Sequence, residues 1–539
     1  MSGDNLVSVF LQRVAERGDH GALLIKQQEQ FVSITWNQLF SDVSAAASVL
    51  DQLDVEPGNR VALVSENRYE WIVCDLAIQM TGAVHVPIHS TLSAEQVVWQ
   101  IEHSGSNVVL LSGADQATKL AQQAESKFAK IPILCFDSSD IQIDGQKIQS
   151  LRSMMSSTVA ADLSIWEQVA RTISSDDLAT ILYTSGTTGE PKGALLPHRK
   201  ALYNSRNAEE YFAIESSDRV LVAAPLFHSL GLLILALPAT FKGAGLILQQ
   251  GFSAARVWTA IESESVTYFG GVPTLYQRLL EALESGEPLS TPPSCLRFAF
   301  SAGAAAAPEM IQAFHEHGLL IRQGYGQTET SILTCLDARY ALEKAGSVGR
   351  PVRHAELRLV DPETIEREVG VWRDVAPGQV GEIVVRGPIT MLGYWQRPAA
   401  TAETLREGWV RTGDLATRDE EFDLTLVGRS REMYISGGEN VYPAEVEATL
   451  IAHPEIDDAA VVAVPDPEWG EAGRAHIVLT KRATIEPALL LEWLKTRLAR
   501  FKQPREIILE TELPRTASGK VQKHRLGKTV SNPKGQNES

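Results

Sequence analysis

A short segment rich in hydroxyls and glycines is the clearest sign of chemistry in this chain. Residues 184–189 read Thr-Ser-Gly-Thr-Thr-Gly, Lys192 follows, and the apolar run Ala179–Tyr183 before them predicts a buried strand. Glycines allow several backbone N–H groups to point at one spot, and the hydroxyls and the lysine add donors. Such a set suits a polyphosphate, although an exposed linker is the alternative interpretation. The segment is not a Walker A loop, because no Gly-Lys-[Ser/Thr] closes the required spacing.

Other polar residues stand where a purely structural role would not require them. His228 follows the apolar residues of Pro225–Phe227, where a satisfied structural histidine is the alternative. Residues 323–329 combine a ring, glycines, a hydroxyl and a carboxylate, which could stack a base and hold a cation or form only a polar turn. Weaker single signals are Thr412-Gly413-Asp414, Gly428-Arg429 and the segment Leu513–Lys520, whose lysine follows a glycine as in many exposed loops.

The composition is that of a globular protein with more than one domain. The chain has 539 residues, of which 44% are hydrophobic and 22% charged. Acidic residues outnumber basic ones by 67 to 49, giving a net charge of −18, which argues against nucleic acid or an anionic membrane as the main partner. The four cysteines are far apart and form no metal-binding spacing, as expected for reduced core thiols.

The chain shows no pattern of a targeting or membrane-spanning segment. Its first residues have a helical period with an early Asp4 and lack an apolar signal core. The most apolar segment, Leu230–Phe241, is too short to span a bilayer and contains Pro238. We therefore expect a cytoplasmic protein without a transmembrane segment. Its oligomeric state is left open, a homodimer being one option.

The elements that must position these residues alternate helix and strand up to about residue 340. Val61–Val64 and Val108–Leu111 read as buried strands, with an apolar helix over Trp71–Met80 between them. Further strands are predicted at Arg219–Ala224, Thr267–Gly271 and Arg297–Ser301. Alternation of this kind predicts an α/β fold with mainly parallel sheets, whose strand-end loops usually bind the ligand.

The pattern changes twice further along the chain. From about 346 to 428 polar and apolar residues alternate, as in the half-exposed strands predicted at Glu356–Val360 and Gly381–Arg386, and a small β-barrel subdomain is expected. Beyond it, helices at Pro443–Leu450 and Pro487–Arg500 and strands at Ala459–Val464 and His476–Leu479 indicate a small, mobile α+β domain. The predicted boundaries are 1–428 for the large domain, 429–431 for a hinge, 432–526 for the small domain and 527–539 for a disordered tail.

Taken together and in order, these segments resemble the adenylate-forming superfamily of acyl-CoA synthetases, firefly luciferases and nonribosomal peptide adenylation domains. The resemblance covers residues from about 20 to 526 and is carried by YTSGTTGEPKG, YGQTE, TGD, GRSREMYISGGENVYPAEVE and PRTASGK. It implies an acid–thiol ligase: a carboxylate attacks the α-phosphate of ATP, and a thiol, usually coenzyme A, then attacks the acyl carbon and releases AMP. ATP, Mg²⁺ and coenzyme A are the implied cofactors. Because the first step joins anions, it depends on charge neutralisation.

The resemblance also implies roles for single residues. The triphosphate is held by Thr184, Ser185, Gly186, Thr187, Thr188 and Lys192. Adenine stacks on Tyr325 beside Gly303, Ala304 and Ala305, and Gln323, Gly324, Gly326 and Gln327 belong to the same nucleotide site. Thr328 contacts the α-phosphate, Glu329 binds Mg²⁺, and Asp414 and Arg429 anchor the ribose. Lys520 bridges the carboxylate and the α-phosphate, and His228, counted with the catalytic residues, lines the acyl pocket.

The thiol step requires the small domain to rotate about a hinge. By resemblance the hinge falls on Arg431, where Asp or Lys is more common. Rotation withdraws Lys520 and brings Gly437, Gly438 and Asn440 to the thiol channel, where glycines allow a narrow pantetheine arm to approach closely. A second departure is SAGAAAAPEM, in which Ala302 replaces a glycine and leaves the shape of the acyl pocket open.

The identity of the carboxylic acid substrate is the least defined part of the predicted function. The acyl pocket implied between His228, Tyr268–Pro273, Gly303 and Gly324 is apolar, with no Asp for an amine and no Arg for a second carboxylate. The N-terminal region resembles fatty acyl-CoA synthetases, so a medium- or long-chain fatty acid is predicted, with an aryl or alicyclic acid as the alternative. An adenylation enzyme that loads a carrier protein, a luciferase-like oxygenase and an inactive nucleotide-binding protein are the competing classes.

Overall fold

The computed structural model describes two compact units. The described residues are 5–27, 30–123, 128, 130–137, 141–143, 145–184, 190–303, 306–480, 483–516 and 520–526. The larger unit takes its described residues from Met1–Leu357, Val384–Arg411 and Phe422–Leu424, and the smaller unit from Arg358–Ile383, Thr412–Glu421 and Thr425–Ser539. The predicted domain boundary near residue 428 and the hinge after it stay predictions.

The strands fall into two groups along the chain. Before residue 352 they are β1 (Gly21–Gln27), β2 (Gln30–Thr35), β3 (Arg60–Val64), β4 (Val84–Ile88), β5 (Val108–Leu111), β6 (Ile133–Cys135), β7 (Gln142–Ile143), β8 (Gln146–Lys147), β9 (Gln149–Ser150), β10 (Leu178–Thr184), β11 (Lys192–Pro197), β12 (Arg219–Val222), β13 (Gly245–Leu248), β14 (Tyr268–Gly271), β15 (Phe298–Ser301), β16 (Ile321–Gln327), β17 (Ser331–Cys335) and β18 (Arg350–Pro351). After it they are β19 (Glu356–Val360), β20 (Gly381–Arg386), β21 (Leu405–Arg406), β22 (Trp409–Arg418), β23 (Leu424–Arg429), β24 (Tyr434–Ser436), β25 (Glu439–Val441), β26 (Ile456–Asp466), β27 (Gly470–Leu479) and β28 (Glu506–Glu510).

The α-helices are concentrated in the first 320 residues. They are α1 (Leu6–Arg17), α2 (Trp36–Gln52), α3 (Tyr69–Met80), α4 (Ala94–Ser104), α5 (Ala114–Ala121), α6 (Leu151–Ser157), α7 (Leu163–Thr172), α8 (His198–Phe212), α9 (Leu237–Lys242), α10 (Ala254–Ser263), α11 (Pro273–Ser285), α12 (Pro308–Glu316), α13 (Pro398–Thr404), α14 (Pro443–Ile451), α15 (Pro487–Lys495) and α16 (Lys523–Leu526). A π-helix covers Leu230–Ala236, and short 3₁₀ turns cover Ala338–Tyr340, Val369–Val371 and Arg500–Lys502.

Local sequence explains where several helices begin and end. The hydroxyl of Ser93 accepts the N–H of Gln96 while the Gln96 side chain accepts the Ser93 N–H, so α4 starts in a capping box. The same helix ends at Gly105, whose φ of 63° is a left-handed conformation that favours glycine. An equivalent box formed by Thr35 and Gln38 opens α2. No helix among the described residues is both long and apolar enough to cross a membrane.

Two mainly parallel sheets form the larger unit, as the alternating pattern predicts. One has nine strands in the order β18-β17-β16-β15-β14-β12-β13-β1-β2, and the other has seven in the order β11-β10-β4-β3-β5-β6-β9. Strands β12 to β16 and β13 with β1 pair in parallel, whereas β16–β17 and β10–β11 are antiparallel hairpins. Both hairpins lie at the predicted nucleotide-binding segments.

The cores confirm which strands and helices are buried. Val61–Val64 and Val108–Leu111 lie buried in β3 and β5, and α3 covers the predicted helix Trp71–Met80. Helices α10, α11 and α12 pack on one face of β14 and β15 through Trp258, Tyr276 and similar side chains. All four cysteines are free and lie in the larger unit: Cys74, Cys135 and Cys335 are buried and Cys295 is half-buried.

Two predictions for the later part of the chain are wrong in detail. Strand β20 was predicted to be half-exposed, but Gly381–Val385 are all buried, so both faces of this strand are covered. The helix predicted over Pro487–Arg500 is shorter in the structure and ends at Lys495, with Thr496 as its C-cap. The chain from β19 to β23 is rich in strands, as expected.

The smaller unit carries its own core. In its five-stranded sheet the order is β25-β24-β27-β26, and β28 pairs in parallel with β27. Helices α14 and α15 contribute Val446, Leu450, Leu490 and Leu494 to the hydrophobic cluster on this sheet. Strand β27 begins at Gly470 and is therefore longer than the predicted His476–Leu479.

Candidate active site

The hairpin β10–β11 brings the two ends of the glycine-rich segment together. Thr184 ends β10 and Lys192 opens β11, and the two residues are paired in the antiparallel register. The Thr184 hydroxyl donates to the Lys192 carbonyl oxygen over 3.4 Å. The residues between them that were predicted to hold phosphate, Ser185, Gly186, Thr187 and Thr188, lie outside the described residues. The structure therefore places both flanks of this loop next to each other.

The second hairpin, β16–β17, turns at the predicted magnesium residue. Gln327 and Thr330 close the turn through hydrogen bonds between Gln327 N and the Thr330 hydroxyl and between Thr330 N and the Gln327 carbonyl, both 3.1 Å. Gly326 sits where the strands approach most closely, because a Cβ there would lie 1.8 Å from the Ser331 carbonyl oxygen. Thr328 is buried and Glu329 half-buried in this turn. The glycine thus allows the hairpin that presents both residues.

The Glu329 carboxylate is fixed by a neutral donor. The Tyr394 hydroxyl donates to Glu329 Oε1 over 2.9 Å, and the Met391 N–H donates to the Glu329 carbonyl oxygen over 2.8 Å. The carboxylate forms no ion pair with any residue in the described part of the chain. A half-buried carboxylate that is held by a neutral donor fits a hard divalent cation such as magnesium.

A buried lysine lies beneath the same turn. Lys200, in the first turn of α8, is fully buried and donates to the Ser331 hydroxyl over 2.6 Å and to the Ile389 carbonyl over 2.7 Å. Burial lowers the pKa of Lys200 well below its usual value, while the nearby Glu329 carboxylate opposes this shift. Neither Lys200 nor Tyr394 was singled out in the sequence. The aromatic pair in Leu392-Gly393-Tyr394-Trp395, placed in a loop after a strand, was the available signal.

The predicted adenine residues lie at the carboxyl ends of neighbouring strands. Tyr325 and Gln323 are buried on β16, and Gly303 follows β15 with a φ of 91°. Gln323 pairs in register with Ser301, and the buried Gln323 Nε2 and Ser301 Oγ have no hydrogen-bond partner among the residues that the structure describes. Buried polar atoms of this kind fit a bound polar ligand such as a nucleotide. Ala304 and Ala305 lie outside the described residues. Gly324 lies on β16, between Gln323 and Tyr325.

His228 stands at the start of the π-helix. Its Nδ1 accepts the Leu230 N–H over 3.4 Å, and the backbone N–H of His228 donates to the Pro225 carbonyl. The segment before it is anchored by the buried Asn67, which accepts the Leu226 N–H and donates to the Ala224 carbonyl. His228 is only half-buried, and its predicted place in the acyl pocket stays a prediction.

The predicted ribose residues meet within the smaller unit. Arg429 Nε lies 3.2 Å from Asp414 Oδ1, and Asp414 is 7% exposed. The turn is held by Asp414 N, which donates to the Thr412 hydroxyl over 3.1 Å, and by Ser430 N, which donates to the Gly413 carbonyl over 2.9 Å. A carboxylate acceptor beside a guanidinium donor fits a pair of hydroxyls.

The remaining predicted residues of the smaller unit are separate from this pair. Arg431 is exposed and lies two residues after the end of β23. Gly437 and Gly438 have φ values of 62° and 88° and form the turn between β24 and β25, with Asn440 on β25. A Cβ on Gly437 would lie 2.4 Å from the Trp469 ring, so only glycine fits. Lys520 is exposed, and its backbone N–H donates to the Thr516 hydroxyl over 3.1 Å.

Comparison with known proteins identifies the family to which these site residues belong. The model of the AMP-binding enzyme family matches residues 10–395, and that of the AMP-binding enzyme C-terminal domain matches residues 445–520. A feruloyl-CoA synthase from Amycolatopsis sp is 36% identical over 91% of this chain and 93% of that relative. A long-chain-fatty-acid–CoA ligase from Mycobacterium tuberculosis is 32% identical over 91% of this chain and 92% of that relative.

A solved structure matches over nearly the whole length. The O-succinylbenzoate coenzyme A synthetase from Bacillus subtilis, in complex with ATP and magnesium ion, has a TM-score of 0.81 and 28% identity over 96% of this chain and 98% of that one. The chain therefore belongs to the AMP-binding enzyme family of adenylate-forming enzymes. Within that family it is an AMP-forming acyl-CoA ligase that uses ATP, magnesium and coenzyme A.

Proposed function

We propose that this ligase activates a compact, apolar monocarboxylic acid that carries an aromatic ring. The observation that carries the proposal is the wall at the ends of β14 to β16. Gly270 and Gly324 lie on one face there, and a Cβ on Gly324 would be 2.7 Å from the Phe300 ring. Phe300 packs on Phe212, with ring centroids 4.7 Å apart. The ends of these strands are thus built from glycines and buried aromatic side chains, a setting that suits an apolar acid with a ring.

Similarity to characterised relatives also supports an aromatic acid as the substrate. The feruloyl-CoA synthase shares 36% identity with this chain and the long-chain-fatty-acid–CoA ligase 32%. A hydroxycinnamic acid, the class to which ferulate belongs, is therefore the first candidate. The predicted medium- or long-chain fatty acid is the second, and the apolar π-helix residues near the same wall, such as Leu235 beside Gly270, favour it.

The residues of this chain have separable tasks in the proposed reaction. Lys192 and Thr328 would neutralise and orient the phosphates of ATP, and Glu329 would hold the magnesium ion, which supplies charge neutralisation at the phosphates. Asp414 and Arg429 would hold the ribose. Lys520 would steady the reacting carboxylate against the α-phosphate. A coenzyme A thiol would then reach the acyl carbon past Gly437 and Gly438.

A panel of acids tests the substrate class. Pyrophosphate release is measured with ferulate, benzoate, octanoate, palmitate, malonate and phenylalanine under saturating ATP, Mg²⁺ and coenzyme A. We expect kcat/KM for ferulate to exceed that for palmitate by at least about tenfold, the size of discrimination that pocket shape supplies. Preference for malonate or phenylalanine would refute the proposal, because the glycines and aromatic rings that carry it supply no charged partner for a second charge.

A variant of the wall sharpens this test. Phe300→Leu removes ring volume below Gly324 while it keeps an apolar core residue. We expect the ratio of octanoate to ferulate activity to rise in this variant. The exposed Val159, at 89% exposure and outside the strand ends, gives the matched control Val159→Ala, which should leave the ratio unchanged.

A further inference from the structure

The segment 389–395 connects the two loops that are predicted to bind ATP. On one side, Leu195 of β11 exchanges two backbone hydrogen bonds of 2.9 Å with this segment. On the other side, Met391 N donates to the Glu329 carbonyl in the β16–β17 turn over 2.8 Å. The Ile389 carbonyl accepts a hydrogen bond from Lys200 below the same turn. The segment is therefore attached to both hairpins at once.

One side chain of this segment reaches a key group in each hairpin. The Tyr394 hydroxyl donates to Glu329 Oε1 over 2.9 Å, and Lys192 Nζ lies 5.2 Å from the centroid of the Tyr394 ring. Tyr394 is 9% exposed and Glu329 and Lys192 are half-buried, so both interactions are partly shielded from water, which strengthens them. A single residue thus touches the predicted phosphate lysine and the predicted magnesium carboxylate.

We propose that Tyr394 is a positioning residue for the nucleotide site, acting through Glu329 with its hydroxyl and through Lys192 with its ring. The proposal rests on the ATP- and magnesium-dependent chemistry of the family and on the predicted roles of Glu329 and Lys192. It does not depend on which acid is activated.

A tyrosine suits this position for a physical reason. A phenol is neutral, so it orients the Glu329 carboxylate without cancelling the negative charge that a divalent cation requires. Lysine or arginine at the same place would form an ion pair and compete with the cation. The aromatic face meanwhile restrains the Lys192 ammonium without removing its charge, which stays available to a phosphate.

Equilibrium binding of a non-hydrolysable nucleotide tests the hydroxyl. Calorimetric titration of the full chain with α,β-methylene-ATP is carried out in Mg²⁺ and again in EDTA. For Tyr394→Phe we expect Mg²⁺-dependent affinity to fall about tenfold, the effect of losing a hydrogen bond to a charged group, and the affinity in EDTA to change less than about twofold. Equal losses in both conditions would overturn the proposal, because they would indicate a general structural defect.

A second variant tests the ring. Tyr394→Leu removes the aromatic face below Lys192 as well as the hydroxyl. We expect this variant, unlike Tyr394→Phe, to bind the nucleotide about threefold more weakly in EDTA too. Affinity in EDTA equal to that of Tyr394→Phe would refute the role of the ring.

A double-mutant cycle tests whether the hydroxyl acts through Glu329. In the Glu329→Gln background, adding Tyr394→Phe should change Mg²⁺-dependent affinity by less than about twofold, because the charged acceptor is already gone. A further tenfold loss would contradict the proposal.

Tyr69→Phe is the matched control, since Tyr69 on α3 donates to Asp42 on α2 over 2.7 Å and that pair lies on neither hairpin. This control should leave nucleotide affinity unchanged. An acid panel without any active substrate would refute the proposed substrate class and leave these binding differences in place.

Discussion

Helix α8 buries polar side chains whose partners are backbone groups of the site. Asn204 donates to the Leu233 carbonyl in the π-helix and accepts the Ile332 N–H of β17 over 3.0 Å. Three residues further along, Asn207 accepts the His354 N–H over 3.2 Å. With Lys200, these residues recur at helical spacing on one face. One helix face therefore satisfies backbone groups in the π-helix and in the β16–β17 hairpin, which would be costly to leave unpaired.

Single-residue titration leads to a prediction for His198 at the start of α8. Burial lowers the pKa of His198 to about 4, and its Nδ1 accepts the Leu6 N–H. Between pH 6.5 and 4 the unfolded chain binds more protons than the folded one, so acidification lowers the free energy of unfolding. The shift corresponds to about 3 kcal/mol over that range. We expect His198→Gln to reduce this loss, measured as the change in the urea unfolding midpoint between pH 7 and pH 4.5.

The exposed His315 on α12 gives the matched control for this measurement. His315→Gln should follow the unmodified protein at both pH values. If His198→Gln loses as much stability on acidification as the unmodified protein, the burial of His198 does not account for the acid sensitivity.

At the scale of elements, the β16–β17 hairpin depends on Gly326. Any Cβ at this position meets the Ser331 carbonyl oxygen, a backbone atom that cannot rotate away. We expect Gly326→Ala to separate the strands, displace Thr328 and Glu329, and lower the rate of pyrophosphate release by at least about 100-fold, since small misplacements of reacting groups have effects of this size. The measurement is steady-state pyrophosphate release together with the thermal unfolding midpoint.

Gly245→Ala in β13 is the control for the hairpin variant. A Cβ there would have its closest contact at 3.8 Å, an ordinary van der Waals distance, so activity should be retained. Near-normal activity of Gly326→Ala would show that the hairpin tolerates wider spacing than the structure has.

Periodicity in the sequence was sufficient to predict the elements that support the site. The buried strands β3 and β5 and the helix α3 are continuous apolar runs, so their type and position could be predicted from local sequence. The link through Tyr394 could not, because it depends on a residue 65 positions from Glu329 in the chain. The burial of Gly381–Val385 in β20 was missed because the alternation of Glu382 with apolar residues suggested an exposed face.

At the scale of the whole molecule, the two reaction steps are expected to need different arrangements of the chain. Lys520 and Arg431 belong to the smaller unit, whereas Lys192, Thr328 and Glu329 belong to the larger one. Lys520→Ala should abolish pyrophosphate release and leave the thiolation of supplied acyl-AMP largely active. Arg431→Pro should do the opposite, because proline fixes φ at the predicted hinge. Both half-reactions are measured separately by pyrophosphate release and by acyl-CoA formation.

Arg431→Lys is the control for the hinge variant, since it keeps the charge and the backbone freedom. It should support both half-reactions. Loss of both steps in Lys520→Ala would indicate that Lys520 is structural or that no rotation separates the steps.

The placement of the cysteine thiols allows alkylation to report the unfolding of the larger unit. All four cysteines lie in the larger unit, and only Cys295 is partly accessible in the folded state. An alkylating reagent added to the native chain should therefore label Cys295 first, and the other three sulfurs should react only as the larger unit opens. The smaller unit has no cysteine, so its unfolding produces no alkylated residue. Mass spectrometry of the labelled chain would then separate the opening of one unit from that of the other.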